Sequence, residues 1–169
     1  MKIRNGYVSN SSSSSFIINF GKDIESAGDI PVRKTKSKKG MTNGDIANLL
    51  FGMLYNGYGL NLDEWLNTEY KDYKSSISTQ PWKYRIKLED LIECLKQKGY
   101  DYAVESLEKV RDWGDNENTY VFTVGSDSPM VMESVYGSVD SKLRDLSCEA
   151  RSDSETFMEH FDKIICISD

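Results

Sequence analysis

The chain has 169 residues, 38% hydrophobic and 28% charged, with a net charge of −6. That length suits one domain with its own core, and no stretch approaches the ~18 consecutive apolar residues of a membrane span. The same composition excludes a collagen, a coiled-coil rod and a disulfide scaffold.

The N-terminus has the basic residues of a signal n-region, Lys2 and Arg4, but no apolar h-region follows; the nearest apolar run is Phe16-Ile17-Ile18. A protein of the bacterial cytoplasm is expected, or a virion component assembled there. Asn5-Gly6 signals a turn, and the serines up to Ser15 read as a linker. Phe16 to Phe20 has strand composition and is closed by Gly21. Residues 1–16 are therefore assigned to a serine-rich tag and 17–169 to a single domain. Arg33, Lys34, Lys36, Lys38 and Lys39 crowd one short stretch ahead of Gly40, so 33–40 is expected to be an exposed basic loop. Solvation alone explains such a loop; a phosphate or an acidic partner could also use it.

Thr42 and Asp45 mark a helix start, and Ile46, Leu49, Leu50 and Met53 share one helical face. Asn61 caps a second helix with a stripe of Leu62, Trp65, Leu66, Tyr70 and Tyr73. Ser75 to Pro81 breaks the pattern. Trp82 to Lys87 alternates aromatic or aliphatic with basic residues, which predicts a half-buried strand with Trp82 and Tyr84 on one face. Leu88, Leu91, Ile92 and Leu95 define the next helix, ended by Gly99. Asp101 caps another, bearing Ala103, Val104, Leu107 and Val110 and ending near Trp113-Gly114, so the two form an αα-hairpin. Thr119 to Val124 is the best strand, and Met130 to Tyr136 is expected to return beside it. Short helices are expected around Val139 to Ala150 and around Phe157 to Phe161, the latter capped by Asp153 or Ser154. Lys163 to Ser168 is a final strand, apolar enough to be buried on both faces. The fold class is α+β, with a small, mostly antiparallel sheet of three to five strands and four to six helices.

Charge is unevenly spread: net +5 over residues 1–40, neutral over 41–87 and −11 over 88–169. A basic arm on an acidic body follows. Phosphate backbones repel that body, which argues against nucleic acid; a basic protein surface suits it, and so does ordinary acidity that maintains solubility.

Cys94, Cys148 and Cys166 are odd in number and widely spaced, and His160 is the single histidine. That set suits reduced, buried thiols better than a zinc site, and neither metal nor cofactor is expected. Ser126, Asp127 and His160 can be drawn as a nucleophile, an acid and a base, although a turn with local hydrogen bonds explains Gly125 to Pro129 equally. Glu89 with Glu93, and Glu155 with Glu159, share helix faces; a metal or acid–base pair could use them, but the apolar stripes opposite mark solvated faces. His160 near a helix end would be favoured by the helix dipole.

The start, Arg4-Asn5-Gly6-Tyr7-Val8-Ser9-Asn10 followed by Ser11 to Ser15 and Phe16, resembles a signature of uncharacterised proteins from tailed bacteriophages and some bacteria. It covers residues 1–17. The resemblance implies a phage or prophage origin and makes Ser9, Asn10, Ser11, Ser12, Ser13, Ser14 and Ser15 candidate binding residues, beside the basic loop. Physically the tract suits an anion-binding loop, a recognition tag, a site of serine modification or a disordered tail. The leading expectation is an accessory protein that binds a protein partner in a host-interaction or regulatory role, its tag serving docking or processing. The alternatives are an enzyme of unfamiliar type using residues 125–129 and nearby carboxylates, and a minor virion component.

Overall fold

The apolar run behind the serines builds the middle of a sheet. A computed structural model describes residues 13–33, 41–55, 59–114, 116–125, 150 and 153–168. Four strands, β1 (Ser13–Asn19), β2 (Gly59–Asn61), β3 (Thr119–Gly125) and β4 (Ile164–Ser168), pair antiparallel in the order β2-β3-β1-β4. Six α-helices are described: α1 (Asn43–Tyr55), α2 (Leu62–Glu69), α3 (Lys74–Ile77), α4 (Leu88–Gln97), α5 (Asp101–Asp112) and α6 (Ser154–Met158). The protein is an α+β fold.

Successive strand residues face opposite sides, and helices cover both. Ile17, Val121, Ile165 and Ile167 pack with Trp65 and Leu66 of α2, Leu91 and Leu95 of α4 and Leu107 of α5. Phe16, Ile18 and Phe122 pack with Ile46, Leu50 and Met53 of α1 and Phe157 of α6. A strand covered on both sides needs apolar residues at successive positions, hence the unbroken runs of β1 and β4. Among the described residues no helix is long and apolar enough to cross a membrane.

The helix ends follow local chemistry. Asp45 N donates to Thr42 Oγ1 at 3.1 Å and Thr42 N donates to Asp45 Oδ2 at 3.0 Å, a reciprocal cap for α1. Asn61 Oδ1 accepts from Glu64 N at 2.8 Å at the start of α2. Gly99, with φ of 81°, turns the chain after α4, as a left-handed C-terminal residue does. Lys96 and Glu108, 3.0 Å apart, bridge the α4–α5 hairpin.

Several expectations shift. β1 begins at Ser13, so Ser13 to Phe16 of the stretch assigned to the tag are strand residues. Tyr100, not Asp101, precedes the first turn of α5. Ser75 to Pro81 is not wholly irregular, because α3 reaches Ile77. Trp82 to Lys87 is not a strand. Lys83 N donates to Gln80 O and Tyr84 N to Pro81 O, which makes a turn, and Trp82 is 75% exposed instead of sharing a buried face with Tyr84. Ile86 is buried, yet its backbone is satisfied by a side chain: Ile86 N donates to Asn67 Oδ1 at 2.7 Å, and Asn67 Nδ2 donates to Ile86 O at 3.3 Å. The expected strand at 130–136, and the helix before Ala150, lie outside the described residues.

Candidate functional site

The corner of the sheet where β2 meets α1 and α2 is shaped by a glycine. A Cβ on Gly59 would lie 2.7 Å from Leu54 Cδ2 and 2.7 Å from Phe122 Cε1. Only a residue without one lets β2 approach the last turn of α1 and the Phe122 ring this closely. Two residues on, Asn61 ends β2, caps α2 and sits opposite Tyr120 of β3.

A cleft of about 370 Å³ opens here, lined by Glu25, Phe51, Tyr55, Asn61, Glu64 and Tyr120 among others. A second, also about 370 Å³, is lined by Asn61, Asp63, Asn116, Glu117 and Tyr120. Asn61 and Tyr120 line both clefts, which are together termed the trough. Its described lining holds four carboxylates and neither lysine nor arginine. Glu25 and Glu64 have no cationic partner among the described residues, whereas Asp63 is paired with Arg85. Tyr120 packs 5.7 Å from Phe20 and so is braced by the core. Tyr55, at the end of α1, is 81% exposed and is the most exposed of the large apolar side chains described.

Glu25 is presented by a stapled turn. Asp29 Oδ2 accepts from Glu25 N at 3.0 Å and from Ser26 N at 2.9 Å. These backbone bonds hold the Asp29 carboxyl below the ordinary aspartate value.

The residues singled out by sequence fall elsewhere. Ser15 is buried in β1, and its hydroxyl lies 2.9 Å from Thr123 Oγ1, so it belongs to the sheet and is not an exposed docking residue. Ser13 and Ser14 are also β1 residues. Arg33 is exposed and lies 3.3 Å from Asp162. Ser9, Asn10, Ser11, Ser12, Lys34, Lys36, Lys38, Lys39, Ser126 and Asp127 lie outside the described residues. His160 is 1% exposed, with its ring 6.3 Å from Phe157 and 6.4 Å from Phe161. Gly125, just before Ser126, pairs with Ser13 at one end of the sheet. At the other end Asn19 N bonds Lys163 O, three residues after His160. Cys94 is buried, which raises its thiol pKa and suits an inert structural thiol. Among the described residues no group of three or more His, Cys, Asp or Glu could hold a metal.

No protein-family model, curated protein or solved structure matches the chain. The trough stands on its own chemistry: open, aromatic at floor and rim, and negatively charged. Such a surface binds and orients a cationic group. Sequence reading missed it because Glu25, Glu64 and Tyr120 share no local pattern.

Proposed function

We propose that the protein acts by binding a protein partner, as a phage-encoded accessory protein in a host-interaction or regulatory role. The observation that carries this reading is the trough beside β2, where an exposed aromatic residue, Tyr55, adjoins Glu25 and Glu64, which have no cationic partner among the described residues. Exposed aromatics at the mouth of a preformed cleft are typical anchors of protein interfaces. The resemblance of residues 1–17 to phage proteins supports the phage setting, and the serine-rich start would serve docking or processing.

The test is site-specific photo-crosslinking in phage-infected bacteria. A benzophenone amino acid replaces Tyr55 in one chain and Tyr102, an exposed aromatic of α5, in another. The reading expects a discrete protein adduct from position 55 that position 102 does not give. No adduct at 55, or equal adducts from both, would overturn it.

A further inference from the structure

We propose that two copies of this chain pair edge to edge through β4, antiparallel and about a two-fold axis at Cys166, to make one continuous sheet. The proposal does not depend on the trough, which lies beside β2 at the opposite edge.

The backbone supplies the first argument. β4 ends the sheet order, so one of its sides has no strand beside it among the described residues. Asn19 N bonds Lys163 O, and the register continues with Ile18 opposite Ile164. Main-chain groups of an antiparallel strand point alternately to its two sides. Lys163, Ile165 and Ile167 therefore face β1, while Ile164, Cys166 and Ser168 face outward. Among the described residues neither Ile164 nor Ser168 has a partner on that outer side. Natural edge strands are commonly blunted by proline or by charge within the strand, whereas β4 reads Ile-Ile-Cys-Ile-Ser.

The second argument identifies the occupant. Strands bond only where outward groups meet outward groups. Antiparallel pairing centred on Cys166 sets Ile164 of each copy against Ser168 of the other, and this register overlaps the whole strand. One step further it sets Lys163 of each copy against Asp169, the next residue in sequence after Ser168, so opposite charges meet across the strands at both ends of the seam. A segment that is its own complement fits a second copy in an isologous contact. The outer edge of β2, with 3 residues against the 5 of β4, offers a shorter match. The third argument is the room beside the strand. A groove of about 290 Å³ lies along β4, with Tyr102 and Ser106 of α5 on one face and Met158 of α6 on the other. Tyr102 is 49% exposed, and Ile164 is half-buried. An axis perpendicular to the sheet keeps both copies of α5 on the same face and brings Tyr102 of each toward the seam.

The test is sedimentation velocity of the full chain over about 1–200 μM, where mass action shifts a dimer. The expected result is a particle of twice the 19.3 kDa chain mass that dissociates on dilution. Lys163 is exposed, so Lys163→Glu should fold normally and weaken the dimer about tenfold, by setting like charges across the seam. Lys163→Glu/Asp169→Lys should restore it. Ile164→Pro removes an outward N–H, spares the bonds to β1 and should abolish the dimer; the charge pair decides the matter if that variant does not fold. A self-adduct from benzophenone at position 102 has twice the chain's mass, so it stays distinct from the partner adduct sought at position 55. A chain that keeps the monomer mass throughout, a dimer indifferent to Lys163→Glu or not restored by the double reversal, or larger particles built by β4 pairing with β2 would each overturn the proposal.

Discussion

Asn67 acts as a surrogate strand, and removing it tests how the Trp82–Ile86 segment is held. In Asn67→Leu both bonds to Ile86 vanish, Ile86 N to Oδ1 at 2.7 Å and Nδ2 to Ile86 O at 3.3 Å, and so do the exposed bonds from Nδ2 to Asp63 O at 2.9 Å and Asp63 Oδ1 at 3.4 Å. Ile86 is 1% exposed, so water does not readily replace the lost acceptor. An unsatisfied buried N–H costs about 1–3 kcal/mol, and loss of the bond to the carbonyl adds about 0.5–1 kcal/mol. Leucine at this half-buried position recovers part of that through apolar burial, leaving a net loss of about 2 kcal/mol. With a urea dependence near 2 kcal/mol per molar for a domain of this size, the unfolding midpoint should fall by about 1 M. Asn67→Asp keeps the acceptor for Ile86 N but turns a charged oxygen toward Ile86 O, Asp63 O and the Asp63 carboxylate, so it too should destabilise while leaving the Ile86 amide bonded. Hydrogen exchange supplies the site-specific readout: the Ile86 amide should exchange faster in Asn67→Leu than in Asn67→Asp. A midpoint within about 0.2 M of the parent, with the Ile86 amide still protected, would refute the surrogate role.

In Gly59→Ala the new methyl meets the Phe122 ring, itself 1% exposed and unable to retreat. Overpacking of about 1–3 kcal/mol outweighs the ~0.4–1 kcal/mol gained by stiffening the unfolded chain, so the melting temperature should drop by several degrees; a rise would mean that β2 has room to spare. Phe157→Ala deletes a ring that lies 4.6 Å from Phe16 and 5.8 Å from Phe161. About 3–5 kcal/mol should be lost in urea unfolding, and a loss below about 1 kcal/mol would unseat α6 from the core. For Asp29 the sign follows from its lowered pKa: the folded carboxyl holds its charge to lower pH than the unfolded one. Its contribution is therefore complete above the ordinary value of 3.8 and disappears as pH falls through the depressed folded value. In an NMR titration the Glu25 and Ser26 amides should shift together with a midpoint below 3.8, and a midpoint at or above it would contradict the staple.

The longer helices were legible because each buries a continuous stripe, whereas α3, which buries none, was not. Leu88, Leu91, Ile92 and Leu95 are all buried along α4, and Ala103, Val104, Leu107 and Val110 along α5. Periodicity reports such elements directly. The serines were harder. Ser13, Ser14 and Ser15 read as linker by composition, but a strand is held by backbone bonds, which do not depend on side-chain type. Ser14 pairs with Val124 on one side and Ser168 on the other, and Ser15 finds a hydroxyl partner in Thr123, its cross-strand neighbour. The Trp82–Lys87 segment failed in the opposite way. Its alternation was real, since Ile86 is buried between exposed Arg85 and Lys87. Alternation reports an extended chain with one buried side, and a strand's pairing can be replaced by one well-placed asparagine.

The trough was invisible for a different reason. Its acidic groups sit in a turn before residue 30, at the start of α2 and ahead of β3, and each looks locally like an ordinary surface carboxylate. The sheet order brings them together: β2 pairs with β3, and that pairing places Asn61 beside Tyr120. The net charge of the C-terminal half therefore misdirects the search, since Glu25, Asp63 and Glu64 belong to the first half of the chain. At ordinary salt, acidic surface beyond ~8 Å is screened, so the charge total of a long stretch says little about any one corner of the fold. Convergence set by the fold, and not the charge total, decides where acidic groups gather.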